Sequence, residues 1–281
     1  MGLYRRDKTA DYDGVRGRRV ALFQEFGSQE FGCVFGEKRF LEIVRSQSWD
    51  VYCHHASDVA NYRSPDFDPL AATRANTWNL GEVLTTLQTT ACNRVIFTGT
   101  VFECGEGRGS EGLPAISRYG LSKAFSWEVF RFECLLRETQ LGKFVIPNPF
   151  GSLEEPRFTS YLARTWKKGE TASCRTPMYV RDNIPVELLA LEYRWFLENQ
   201  PSGIGRLHPS GYVESQGRFT ERVAAEFRAR TDWECAISAV RQNEFAEPMI
   251  RINSESAAKR HPDWDETGSW DRMVKFYTEE C

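Results

Sequence analysis

The chain has 281 residues, 41% of them hydrophobic and 27% charged, with a formal net charge of −3. That length buries a sizeable core in one large or two joined domains, and the composition is that of an ordinary soluble globular protein. The charge balance argues against a general nucleic-acid or anionic-membrane binder. No apolar run approaches the ~20 residues that span a bilayer, and the polar start lacks a secretory apolar region.

Residues 1–18 are polar and aperiodic and read as an irregular lead-in. Val20-Ala-Leu-Phe23 reads as a short strand, and residues 37–47, with Phe40, Leu41 and Val44 at helical spacing, as a helix. Residues 50–57 read as a buried strand. The stretch 70–90 carries Leu80, Val83, Leu84 and Leu87 on one stripe, and residues 94–98 form the next strand. A loop rich in Gly and Glu (103–114) leads to a long helix over 119–139. Its apolar face is Leu121, Phe125, Val129, Phe132 and Leu136, and Gly142 is placed to end it. Lys143-Phe-Val-Ile146 is a further strand.

This alternation predicts an α/β fold, a doubly wound parallel sheet with helices on both faces. After Pro147 the elements shorten, which suggests a smaller and irregular second lobe. Trp233, Trp264 and Trp270 are expected to pack that lobe, and Ser210-Gly-Tyr212 and Gln216-Gly217 to form a turn in it. The expected organisation is a lead-in over 1–18, a cofactor domain over 19–147 to which 179–198 return, and a mainly substrate-binding lobe over 148–281.

The eight cysteines are scattered without Cys-x-x-Cys spacing, and of the four histidines only His54 and His55 are adjacent. No metal cluster is expected. Cys33, Cys53, Cys92 and Cys134 lie in apolar stretches and read as small buried hydrophobes, so a reducing, cytoplasmic compartment is expected.

The chemistry centres on Tyr119-Gly-Leu-Ser-Lys123. Four residues apart on a helix, the two side chains share a face. A nearby ammonium favours the phenolate of a tyrosine, whose ordinary pKa is ~10, so the pair can move a proton to or from a substrate hydroxyl. Such a pair also arises by chance, and context decides. Upstream, Thr98-Gly-Thr100 ends a strand and sets a hydroxyl at the carboxyl edge of the sheet, where open α/β sheets bind ligands. Taken alone, Thr100 is as well read as bonding its own turn. At the end of a buried strand, His54 and His55 read as core or cofactor-wall residues more readily than as acid/base groups.

From residue 50 to about 193 the chain resembles the extended short-chain dehydrogenase/reductases, the NAD-dependent epimerase/dehydratase family. Val51-Tyr-Cys-His-His-Ala-Ser57 resembles the strand that ends beside the cofactor adenosine, and Asn76 the helix asparagine. Thr100, Tyr119 and Lys123 match the catalytic Ser/Thr, Tyr and Lys. Asn148-Pro-Phe-Gly151 resembles a substrate-facing turn, and Tyr179-Val-Arg-Asp-Asn-Ile-Pro-Val186 a stretch whose arginine meets the substrate diphosphate. The resemblance implies a Rossmann-like fold and NAD or NADP, bound by His54, Ala56, Ser57, Asn76, Thr98, Tyr119, Lys123 and Pro147. It implies a nucleotide-sugar substrate held by Glu103, Asn148 and Arg181, the last with a salt bridge to a neighbouring acid as its alternative role. It also implies a homodimer formed through the helices of 70–90 and 119–139; Trp127 and Phe130 read as outward aromatics consistent with it, with internal packing as their alternative.

Two departures narrow this picture. The Gly-x-x-Gly-x-x-Gly loop that holds a pyrophosphate is not present; Gly27, Gly32 and Gly36 are spaced five and four apart. Residues 20–47 then correspond to the strand and helix just before the histidine strand, in an N-terminally reduced sheet. In the dehydratase branch Asp-Glu follows the threonine, where this chain has Val101 and Phe102, so epimerisation or ketone reduction is expected over dehydration. A non-catalytic binding or regulatory relative is the alternative, and an incomplete form of a longer enzyme a third reading.

Overall fold

The computed structural model describes residues 1–59, 61–109 and 113–279. The chain divides into two compact units, one of residues 1–106, 114–145 and 196–207, the other of 107–113, 146–195 and 208–281.

In chain order the first unit contains β1 (Gly2–Leu3), α1 (Gly14–Phe23), β2 (Gln29–Glu30), α2 (Lys38–Arg45), β3 (Tyr52–His54), α3 (Pro69–Asn76) and α4 (Leu80–Thr89). It continues with β4 (Arg94–Thr100), α5 (Arg118–Leu136), β6 (Gln140–Ile146) and β10 (Ile204–Leu207). The main sheet has the order β10-β6-β4-β3, with β10 parallel to β6 and β3 parallel to β4. Alternating strands and helices on such a sheet make the fold Rossmann-like. β1 and β2 form a separate parallel pair, joined through α1.

The core of this unit shows why the sequence folds so. Phe40, Leu41 and Val44 of α2 and Val83, Leu84 and Leu87 of α4 meet Trp127, Phe130 and Cys134 of α5 over Val95 and Phe97 of β4. Trp127 and Phe130 are therefore inward, 2% and 0% exposed: of their two readings the structure shows internal packing and not the outward one. The face of α5 that reads as its apolar stripe is the one left in solvent, with Phe125, Val129, Phe132 and Leu136 exposed. Both sides of α5 are apolar, and small Ser122 and Ser126 let the other side approach the sheet and α3 closely.

Further expectations change at the element ends. Val20–Phe23 closes helix α1 instead of forming a strand. Four apolar residues cannot tell the two apart, and Phe23 packs edge-on beneath Tyr4. The 70–90 stretch breaks at Asn79, whose φ is 56° and whose side chain bonds the Gly36 carbonyl and Glu82. Helix α5 ends at Leu136, with Glu138 at φ 53°. Gly142 lies inside β6, where a Cβ would stand 2.7–2.9 Å from atoms of Ile96 and Phe196. Cys33, Cys92 and Cys134 are buried as expected, whereas Cys53 is half-buried.

The second unit contains β5 (Arg108–Gly109), β7 (Asn148–Phe150), α6 (Phe158–Lys167), β8 (Ala172–Cys174), β9 (Val180–Pro185), α7 (Val186–Asn199, of which residues 196–199 count with the first unit), β11 (Pro209–Ser210) and β12 (Tyr212–Ser215). It ends with α8 (Gln216–Arg228), β13 (Ile237–Ala239), β14 (Ile250–Ile252), β15 (Glu255–Ser256), α9 (Ala257–Arg260) and α10 (Glu266–Glu279). Gln216 and Gly217 open α8, capped by the Ser215 hydroxyl, and do not form a loop turn. Strand β9 is central, between antiparallel β12 and parallel β14, with β7 also on it. Asp182 in β9 is fully buried and accepts from the N–H groups of Gly211 and Asn253. Trp166, Phe219, Val223, Phe227, Trp270 and Tyr277 fill the core, with Trp233 packed on it; Trp264 packs on a smaller cluster around Ile184 and Leu188.

Within this core the Glu154 carboxylate accepts from the hydroxyls of Thr159 (2.6 Å) and Tyr277 (2.5 Å). Burial pushes its pKa up to about 7, against the lowering effect of those hydroxyls. The native state therefore holds a proton more tightly than the unfolded chain, so stability falls as pH rises through about 7. Urea unfolding at pH 6 and pH 8 should show that loss, and Glu154→Gln should remove most of the difference.

Candidate active site

Strand β4 delivers Thr100 to its carboxyl end, buried, and the chain turns at once. The Glu103 carboxylate folds back to accept the Thr100 N–H at 2.7 Å. Its other oxygen receives the Lys143 ammonium of β6 at 2.5 Å, and that ammonium also reaches Glu106 at 2.6 Å. Arg206 of β10, in register with Lys143, adds a third contact to Glu106 at 3.0 Å. Lys143, Glu103 and Glu106 are all at most 2% exposed. Lys143 and Arg206 also lie 4.8 and 5.3 Å from the ring centre of Trp127. Gly99 makes the room, since a Cβ there would stand 2.6 Å from Lys143 and 2.9 Å from Glu103. Glu103, expected to meet substrate, is turned inward and works on the backbone of Thr100.

Helix α5 begins where the Ser117 hydroxyl accepts the Gly120 N–H. A Cβ on Gly120 would sit 2.2 Å from the Phe102 carbonyl, so the absent side chain lets the first turn of α5 close on the turn that follows Thr100. Tyr119 and Lys123 stand one helical turn apart on that segment. Tyr119 is half-buried and its ring lies 5.4 Å from that of Tyr62. Lys123 is 3% exposed, with its ammonium 4.2 Å from the ring centre of Phe97. Burial pushes its pKa down to about 8, aided by the charge of Lys143 and opposed by that of Glu103.

Strand β3 supplies the neighbouring wall. His54 is wholly buried against Phe35, Phe97 and Phe130 and shares a 2.9 Å hydrogen bond with the Tyr52 hydroxyl. Burial first, and the Lys123 charge second, hold it neutral. The next residue, His55, pairs its Nδ1 with the Thr98 hydroxyl at 2.7 Å. Its ring is solvent-accessible although protein crowds round it, and that crowding with the Lys123 charge brings its pKa to about 4. Ala56 is exposed beside it. Asn76 accepts the Asp58 N–H and donates to Ser126, tying this loop and α3 to α5.

Pro147, Asn148 and Arg181 belong to the second unit. Pro147 is buried. Asn148 donates to the Asp182 carbonyl. The Arg181 guanidinium is spent on Glu247 at 2.9 Å and on the carbonyls of Val180, Pro248 and Met249, and it stacks 4.3 Å from the ring centre of Tyr179. Of its two readings in the sequence, the structure shows the salt bridge. Sequence reading missed a depression of about 280 Å³ lined by Phe158, Tyr161, Ser173, Arg175 and Thr176. Arg175 is exposed and forms no ion pair among the described residues. Its five residues come from two segments that carry no motif.

Two observations test whether the first unit suits a dinucleotide. The Lys123 ammonium has no hydrogen-bonded acid among the described residues, and the buried Ser57 hydroxyl has no partner there. A buried cation and a buried hydroxyl, neither with a hydrogen-bonded acid, beside a carboxyl strand edge are groups that a ribose would satisfy, so the residues suit the group at that end. Among the described residues no helix is long and apolar enough to cross a membrane, and no group of three or more metal-ligating side chains comes together.

No family model and no curated protein sequence matches the chain. Solved structures do. The dTDP-glucose 4,6-dehydratase of Streptomyces venezuelae, with NAD bound, has TM-score 0.69 at 16% identity over 95% of this chain and 86% of its own. The UDP-Glc/GlcNAc 4-epimerase of Campylobacter jejuni has 0.68 at 16%, over 99% and 91%. The UDP-N-acetylglucosamine 4-epimerase of Methanobrevibacter ruminantium has 0.68 at 13%, over 90% and 84%. The chain therefore has the fold of the extended epimerase/dehydratase structures.

The buried charges give a direct test. Lys143→Met strips Glu103 of its cation and should cost about 3–5 kcal/mol in urea unfolding. Adding Glu103→Gln and Glu106→Gln should recover much of that loss.

Proposed function

We propose that the chain is an NAD(P)-dependent epimerase or reductase acting on a nucleotide-linked sugar or a similar polyol. The observation that carries this is Lys123: a buried cation one turn from Tyr119, with no hydrogen-bonded acid among the described residues, on the helix that closes against the Thr100 turn. Burying a charge without an acid is costly unless a ligand completes its shell. When bound, the nicotinamide would accept or return the hydride.

The rest of the chemistry falls to the protein. Tyr119 exchanges the proton of the substrate hydroxyl, Lys123 holds a ribose hydroxyl and lowers the phenol pKa, and Thr100 orients the substrate oxygen. Within the first unit, His54, Ala56, Ser57, Asn76 and Thr98 are the proposed cofactor wall. Val101 is buried and, like Phe102, cannot transfer protons, which favours epimerisation or reduction over dehydration. In the second unit, the aromatic rings and free guanidinium of the Phe158/Tyr161/Arg175 depression suit a nucleobase and its phosphates better than the committed Arg181 does. The solved neighbours include epimerases bound to UDP-glucose and to UDP-N-acetylmuramic acid, which supports a nucleotide sugar.

The seven described cysteines are free thiols, in keeping with the cytoplasm. The exposed row Phe125, Val129, Phe132 and Leu136 of α5 supports a homodimer.

Tyr119→Phe should lower turnover roughly 10²- to 10⁴-fold with unfolding and dinucleotide binding unchanged; a fully active variant removes the mechanism. Dinucleotide affinity should fall as pH rises through about 8, because Lys123 then loses the charge that binds. Calorimetry from pH 6.5 to 9.5 reads this, and a flat profile would separate Lys123 from binding. Sedimentation should show a dimer at micromolar concentration, shifted to monomer by Phe132→Glu.

A further inference from the structure

The chain between β3 and α3 returns to Tyr119. Asn61 is at φ 52° and its carbonyl accepts the Ser64 N–H at 2.7 Å, a tight turn with Tyr62 and Arg63 in the middle. The turn is pinned on both sides. Before it, the Asp58 N–H donates to Asn76 of α3 at 2.8 Å. After it comes the buried Phe67, whose carbonyl accepts from the Arg118 guanidinium at 3.4 Å. Arg118 directly precedes Tyr119, so this bond ties the turn to the start of α5. The half-buried ring of Tyr62 is thereby held 5.4 Å from that of Tyr119.

Tyr62 in turn holds Arg63. The Arg63 Nε donates to the Tyr62 hydroxyl at 3.0 Å, and the guanidinium lies 5.4 Å from the centre of the same ring. An exposed arginine ordinarily spreads over many rotamers; two contacts to one ring fix where this charge stands. Arg63 is exposed and forms no ion pair among the described residues. None of the neighbouring Asp58, Asp66 and Asp68 pairs with it, and Asp68 instead accepts the N–H groups of Leu70 and Ala71 as the cap of α3.

With Nε committed, the two terminal nitrogens present a fork that matches a carboxylate with two parallel N–H···O bonds. A diphosphate is ordinarily cradled by a nest of backbone N–H groups. Here those of Tyr62, Ser64, Asp66 and Phe67 are all bonded within the segment, to Val59, Asn61 and Ser64, and Pro65 has none. The turn therefore offers one oriented guanidinium and little else, which suits a single carboxylate.

We propose that Arg63 binds a carboxylate of the substrate, so that the sugar presented to Tyr119 is a sugar acid, with its carboxylate on Arg63 and its reacting hydroxyl on the Tyr119 phenol. This rests on the reading of Tyr119 as the acid/base of a nucleotide-sugar enzyme.

Calorimetric titration of the full chain with UDP-glucuronate and UDP-glucose, which differ by a carboxylate in place of a hydroxymethyl group, tests it, with NAD⁺ and in parallel NADP⁺ present. The expected result is UDP-glucuronate bound roughly tenfold or more tighter, as charge-assisted bonds imply. Arg63→Gln should bring the two affinities together. Tyr62→Phe keeps the ring and removes the hydroxyl that orients the guanidinium, and should lose part of the preference. Equal affinity of the unaltered chain for the two sugars overturns the carboxylate subsite and leaves the proposed function standing. A preference that survives Arg63→Gln overturns the assignment to Arg63. Equal weakening of both sugars by that substitution places Arg63 on the diphosphate and overturns the sugar acid. Failure of the folded chain to bind either sugar overturns the proposed substrate, and the subsite with it.

Discussion

An ammonium ion in the middle strand of a sheet costs several kcal/mol to bury unless carboxylates come with it, and Lys143 brings two. Much of the first unit follows from meeting that requirement. Glu103 and Glu106 must turn inward, so the chain after β4 doubles back instead of running outward into solvent. In doing so Glu103 captures the Thr100 N–H, which sets the backbone of the residue at the strand edge. The same turn carries the Phe102 carbonyl against Gly120, and this seats the start of α5. Charge neutrality in the core and the placing of Tyr119 and Lys123 are thus one geometric problem, solved by one loop.

The sequence made the regular parts of this legible. Strand β4, helix α5 and strand β6 came from periodicity, and Thr100, Tyr119 and Lys123 from their order along those elements. The charged centre was not legible. Lys143 reads as the polar start of an apolar strand, and Glu103 and Glu106 as members of a solvated loop, because pairing across 37 to 40 residues leaves no local signal. Helix α5 misled for a different reason. Periodicity reports that a face is apolar, not whether protein or solvent covers it, and α5 has two such faces. The stripe of Phe125, Val129, Phe132 and Leu136 was the stronger pattern, and it lies outside.

Arg181 shows the limit of carrying a role over by motif. Its sequence context matches a phosphate-meeting arginine, yet here its guanidinium already makes four polar contacts and stacks on a ring within the protein. Its neighbour Asp182 is the part of that motif with the larger structural duty, as it pins β9 to the chain at Gly211 and Asn253. Burial lifts its pKa to about 6 against the opposing pull of those hydrogen bonds. The exposed Arg175, outside any motif, keeps its donors available.

Gly99, Gly120 and Gly142 share a property that differs from the usual use of glycine. None is in the left-handed region; each is small because another group fills the space its side chain would take: Lys143, the Phe102 carbonyl and Phe196. They act as moulded voids and not as hinges. Among related chains, positions 142 and 196 should therefore vary together, an alanine at one appearing with a smaller side chain at the other. Position 120 has no such freedom, because the atom that fills its void is backbone and cannot be made smaller by substitution.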